Sequence, residues 1–75
     1  MEVDLIREAL HREPFEPFTF RLADGRALPV PHPDFVAVGQ RRVIVVAEDD
    51  SSSAIEPLMI VSIDHNKGRS TSRLD

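Results

Sequence analysis

Residues 18–30 read Phe-Thr-Phe-Arg-Leu-Ala-Asp-Gly-Arg-Ala-Leu-Pro-Val, and no other stretch of the chain restricts its folding as tightly. Phe18, Phe20 and Leu22 alternate with Thr19 and Arg21, the period-two pattern of a strand with one apolar face. Asp24-Gly25 marks a reversal, and the return segment carries its large apolar residues at Leu28 and Val30. Parity then decides the turn. A loop of Asp24-Gly25 alone would set Leu28 opposite Arg21, on the polar face. A loop of Ala23-Asp24-Gly25, with Gly25 at positive φ, pairs Phe20 with Leu28 and Phe18 with Val30, so the large apolar side chains share one side. The expected register is therefore the second, with the even-numbered side chains inward. Pro29, Pro31 and Pro33 have no N–H to donate, which puts the return strand at a sheet edge or bends it before Asp34.

Upstream, Val3, Leu5, Ile6, Ala9 and Leu10 recur at helical spacing, with Glu2, Arg7, Glu8 and Arg12 mainly on the other side. The spacing predicts a helix over 3–12, ended before Pro14. A helix this short does not persist alone in water, so its stripe must dock on the sheet. Downstream, strands are expected over about 18–22, 26–31, 35–38, 42–47 and 59–63. Gly39-Gln40-Arg41 forms a tight turn and Glu48 to Ser53 an acidic, serine-rich loop; after it Ile55-Glu56 briefly extends pairing, and Pro57-Leu58 makes a further turn. Val43-Ile44-Val45-Val46 is apolar without a break, so either both its faces are covered or one face meets a partner chain. The fold class is α+β and mainly β: an N-terminal helix and about five short antiparallel strands, as a small Sm-like or SH3-like barrel or a strongly bent sheet. Residues 1–64 form a single small domain and residues 65–75 a disordered tail.

A chain of 75 residues without cysteine has no disulfide or cysteine-ligated metal to reinforce a small core, and self-association is the expected supplement. The net charge of −4 is unevenly spread: Lys67, Arg69 and Arg73 against Asp75 give the last residues +2, which leaves −6 on residues 1–64. An acidic body disfavours nonspecific nucleic-acid binding. No apolar run reaches the ~20 residues of a membrane span, and the first residues lack the basic and apolar regions of a secretory signal, so a cytoplasmic protein is expected.

No residue pattern points to catalysis, a cofactor or a metal. His11, His32 and His65 stand singly, without the spacing of a metal site. His32 with Asp34 could make a general base or shape a His-Pro-Asp turn. Glu48, Asp49 and Asp50 lack the glycine and spaced ligands of a cation loop. Arg41 and Arg42 are the basic concentration of the body and the candidate phosphate contact. Val43, Ile44, Val45 and Val46 are the candidate interaction surface.

The order of elements resembles that of Sm-like small barrels. Phe20-Arg-Leu-Ala-Asp-Gly25 is similar to the hairpin of the bacterial Sm-like RNA chaperone, which a helix also precedes; this resemblance implies an RNA-binding ring. Where that chaperone carries its RNA-contacting Lys-His pair, this chain has Pro57-Leu58. Separately, Pro14-Phe-Glu-Pro-Phe18, Leu22-Ala-Asp-Gly-Arg26 and Val30-Pro-His-Pro-Asp-Phe-Val-Ala-Val38 are similar to a family of short uncharacterised bacterial proteins, which implies no particular activity. The reading is a non-enzymatic protein-interaction or assembly module that associates with itself and with another protein; the alternative is an RNA-binding Sm-like ring.

Overall fold

The computed structural model describes residues 1–65. One helix, α1 (Val3–Leu10), precedes six strands: β1 (Phe18–Leu22), β2 (Ala27–Val30), β3 (Val36–Val38), β4 (Val43–Val46), β5 (Ser52–Ile55) and β6 (Ile60–His65). All pairings are antiparallel, and they form two three-stranded sheets, ordered β2-β1-β6 and β3-β4-β5. The protein is thus mainly β, and no strand pairing joins the two sheets among the described residues.

The first hairpin has the register that parity demands. Phe20 lies opposite Leu28 and Phe18 opposite Val30. The Gly25 N–H donates to the Leu22 carbonyl (3.0 Å) and the Leu22 N–H to the Arg26 carbonyl (2.9 Å), with Gly25 at φ +94°. β2, with Pro29 in it, is an edge strand. Phe18, Phe20, Leu22 and Val30 are buried, and the rings of Phe18 and Phe20 meet edge to face at 5.0 Å, the geometry favoured by the ring quadrupoles.

Elsewhere the elements depart from the sequence expectation. The helix stops at Leu10 rather than residue 12; His11 ends it with its N–H on the Arg7 carbonyl. Phe35 is the last residue of a short 3-10 turn, Pro33–Phe35, so β3 starts at Val36. Met59 likewise closes a 3-10 turn, Pro57–Met59, and the last strand runs from Ile60 to His65. Proline at the first position of each turn presets φ for the helical bend. His65 therefore belongs to β6 and not to a tail; the expectation for residues 66–75 lies outside the described residues. β2 and β4 are also shorter than expected, at Ala27–Val30 and Val43–Val46. A sixth strand, β5, replaces the tentative extension at Ile55-Glu56, pairing Ile55 with Val43 and Ser53 with Val45.

β6 carries one extra residue against β1: Arg21 faces Ser62, and the next pair is Leu22 with Ile60. Val61 is the bulged residue, and its side chain is left exposed. The helix packs on the core that both sheets supply. One of its flanks, with Leu5 and Ala9, shares a cleft with Ile63 of β6, and the other, with Arg7 and Leu10, shares one with Val36 and Val38 of β3. Ile6 and Leu10 are buried in a core supplied by both sheets. Leu5, part of the expected apolar stripe, is half exposed at the cleft.

Candidate interaction surface

β4 is the centre of the second sheet, and its apolar run divides by parity. Val43 and Val45 are buried in the core; Ile44 and Val46 point the other way and are half-buried. Ile44 is flanked by Ala37 of β3 and Ala54 of β5, and Val46 lies opposite Ser52. The outer face of this sheet is consequently a row of small and aliphatic side chains with no charge in it. Of the residues proposed from sequence as an interaction surface, Ile44 and Val46 are available to one, whereas Val43 and Val45 face inward. An unbroken apolar run carries no parity of its own, so this division was not readable before the fold.

Both ends of β4 are charged. Arg41 and Arg42 precede it, with the Arg42 carbonyl accepting the Gly39 N–H at 2.8 Å to close the β3–β4 turn. Four arginines have carboxylate partners: Arg7 with Asp4, Arg12 with Glu16, Arg21 with Asp64 (2.7 Å) and Arg26 with Asp24 (2.9 Å). Among the described residues, Arg41 and Arg42 are the arginines without one. They line a groove of about 750 Å³ together with Val3, Leu58, Glu2 and Glu56. Leu58, 84% exposed, is the most exposed large apolar side chain described. Two carboxylates in the same groove lower its attraction for phosphate.

At the other end of β4, Glu48, Asp49 and Asp50 form the tip of the β4–β5 hairpin. The Ala47 N–H donates to the Ser51 carbonyl (2.8 Å), the Asp50 N–H to the Ala47 carbonyl (2.9 Å), and Asp50 has φ +75°. The Asp49 carboxylate accepts from the Ser51 hydroxyl (2.7 Å) and the Ser51 N–H (3.0 Å), and these bonds hold its pKa below the ordinary aspartate value. Asp24 is held low in the same way, first by the Arg26 N–H and then by the Arg26 guanidinium. Glu48 and Asp50 are exposed.

The histidines are dispersed. His32 Nδ1 accepts the Asp34 N–H at 3.4 Å and caps the Pro33–Phe35 turn. That lone pair is engaged in shaping the turn, the second of the two roles open to it. His65 packs edge-on against Phe18, with Nδ1 3.7 Å from Glu16. No group of three or more His, Cys, Asp or Glu side chains is placed to hold a metal ion among the described residues. No described helix is long and apolar enough to cross a membrane. The chain matches no protein-family model, no curated protein and no solved structure.

Proposed function

We propose that the protein is a small non-enzymatic interaction module that associates with a second copy of itself through the outer face of the β3-β4-β5 sheet. The observation that carries this reading is the uncharged row Ala37, Ile44 and Ala54, continued by Val46, on a body of net charge −6. Two acidic copies can approach there without setting like charges against each other. A domain this small also gains more from covering apolar surface than a large one does. We read the two sheets and the helix on their shared core as an opened relative of the Sm-like or SH3-like small barrel, a reading supported by the order of one helix followed by short antiparallel strands.

Light scattering coupled to size exclusion tests the reading. A mass above that of one 8.4 kDa chain is expected, and Ile44→Lys is expected to return it to a single chain while the melting transition stays within a few degrees, since Ile44 lies outside the core. A monomer at all concentrations would discard self-association. The same run with a pool of cellular RNA tests the alternative, which Arg41 and Arg42 motivate: a ring-sized mass that shifts with RNA and loses that shift on Arg41→Ala/Arg42→Ala would replace the interaction module with an Sm-like ring.

A further inference from the structure

We infer that the second copy docks antiparallel, about a two-fold axis through the middle of β4, so that Arg41 and Arg42 of each copy meet the Glu48-Asp49-Asp50 tip of the other. This rests on the self-association proposed above and adds the orientation, the closure and the residues that select it.

The argument starts from how charge is laid out along one strand. β4 has a doubly positive end without carboxylate partners, an uncharged middle and a triply negative end; the two ends are exposed, and Ile44 and Val46 between them are half-buried. From residue 42 to residue 48 a strand rises roughly 20 Å, so the two ends are separated by about two Debye lengths at physiological salt. Each end therefore responds to its own local partner and not to the net charge of the body. A two-fold axis in the interface, perpendicular to β4 and over Val45, sets Ile44 of each copy against Val46 of the other and exchanges the ends, which sets positive against negative twice. A parallel arrangement would set arginine against arginine and acid against acid. A head-to-tail arrangement satisfies one pair of ends per contact and leaves the chain of copies open, with the apolar row uncovered. The antiparallel pairing alone buries the row and neutralises both ends in a closed dimer.

The hairpin tip is suited to this role by its construction. Asp49 is tied to Ser51 and shapes the loop, whereas no hydrogen bond or ion pair within the described residues engages the carboxylates of Glu48 or Asp50. Arg41 and Arg42 stand beside a turn closed by a backbone hydrogen bond of 2.8 Å. Both charged ends thus project from hairpin loops of defined geometry and lose little conformational freedom on pairing.

Two charge variants and their mixture, followed by sedimentation velocity on the full chain, test the inference. Arg41→Glu/Arg42→Glu makes both ends of β4 acidic. Glu48→Lys/Asp50→Asn reduces the acidic end, with asparagine chosen because it tolerates positive φ. Each variant alone is expected to dimerise at least roughly tenfold more weakly than the parent chain, the first because acid then faces acid at both ends and the second because Arg41 and Arg42 lose the net negative charge they face. In the equimolar mixture Arg41 and Arg42 of the second variant meet the intact acidic tip of the first, so one of the two end pairs is restored; the mixed dimer is expected to be tighter than either variant's own, and that gain should fade as salt rises. Circular dichroism of each variant checks that the fold is kept. If the parent chain is a dimer broken by Ile44→Lys but unaffected by either charge variant, the docking face stands and the antiparallel charge pairing is overturned. Loss of dimer in both variants with no tighter dimer on mixing overturns it as well, as do masses that climb steadily with concentration. A monomeric parent chain removes both the inference and the reading beneath it.

Discussion

Two of the three described hairpins, β1–β2 and β4–β5, close with the same loop and were not equally visible in the sequence. In the first, Leu22 and Arg26 flank Ala23-Asp24-Gly25; in the second, Ala47 and Ser51 flank Glu48-Asp49-Asp50. The hydrogen bonds correspond one to one: flanking N–H to flanking carbonyl at 2.9 and 2.8 Å, third loop residue to first flanking carbonyl at 3.0 and 2.9 Å. In both, the middle aspartate accepts the N–H of the second flanking residue at 3.0 Å. Each has a left-handed third residue, Gly25 at φ +94° and Asp50 at φ +75°. Glycine adopts that conformation without steric cost, and aspartate is among the few other residues that visit it routinely. The geometry is therefore set by the demand for a left-handed residue after a type I turn, and a composition rule that waits for Gly finds only half of the cases.

The largest expected effect separates the sheets behind the two loops. Phe20→Ala, behind the first, removes a fully buried ring and should cost about 3–5 kcal/mol. Val45→Ala, behind the second, removes two buried methyl groups and should cost about 2 kcal/mol. Urea titrations of both variants would show the difference as a shift of midpoint; equal shifts would mean that the two hairpins share the core evenly.

A smaller effect of opposite sign is expected in the loops themselves. Gly25→Val should destabilise by about 1–2 kcal/mol through backbone strain alone, because a Cβ at Gly25 meets nothing within 4 Å. Asp50→Gly should stabilise by less than about 1 kcal/mol, the relief of the left-handed conformation being partly offset by the greater freedom of glycine in the unfolded chain. Thermal melts of the two variants should move in opposite directions. A melting temperature lowered by Asp50→Gly would show that the aspartate side chain contributes more than its backbone conformation costs.

The smallest effect is one of pH. Asp24 and Asp49 have folded-state pKa values below their ordinary one, so the stability they add is present above the unfolded-state value and is lost as pH falls through the folded-state value, in the acid range below about 4. Asp24→Asn and Asp49→Asn should each flatten the acid limb of a stability-against-pH curve and leave the neutral region nearly parallel to the parent. Both groups are exposed, so the change is small, and added salt should diminish it further for Asp24, which also pairs with the Arg26 guanidinium.

How much of the molecule its sequence discloses follows from the same contrast. The β1–β2 register was legible because Phe18, Phe20, Leu28 and Val30 admit one parity and Asp24-Gly25 names the turn. β5 was not, because Ser52-Ser-Ala-Ile55 has weak strand preference and becomes a strand only by pairing with Val43 to Val46, a long-range contact. The helix was legible as an apolar stripe, but the exposure of Leu5 depends on where the clefts beside β3 and β6 fall. The charged and apolar residues of the candidate surface, Arg41 to Val46, were singled out from composition alone. Their division into inward and outward members, and the alanines that isolate Ile44, required the sheet.

The packing of α1 on a core shared by two sheets that have no strand pairing in common bears on how the molecule opens. Within each sheet the strands are held by hydrogen-bonded ladders, whereas the sheets and the helix meet through the side-chain packing of one core, to which the helix contributes Ile6 and Leu10. A fluctuation that lifts the helix withdraws Ile6 and Leu10 from the shared core without breaking a rung in either sheet, so amide protons of β1 and β4 are expected to stay protected by their own strand pairings. Hydrogen exchange on the full chain would check this: amides of the eight-residue helix are expected to exchange before those of the central strands.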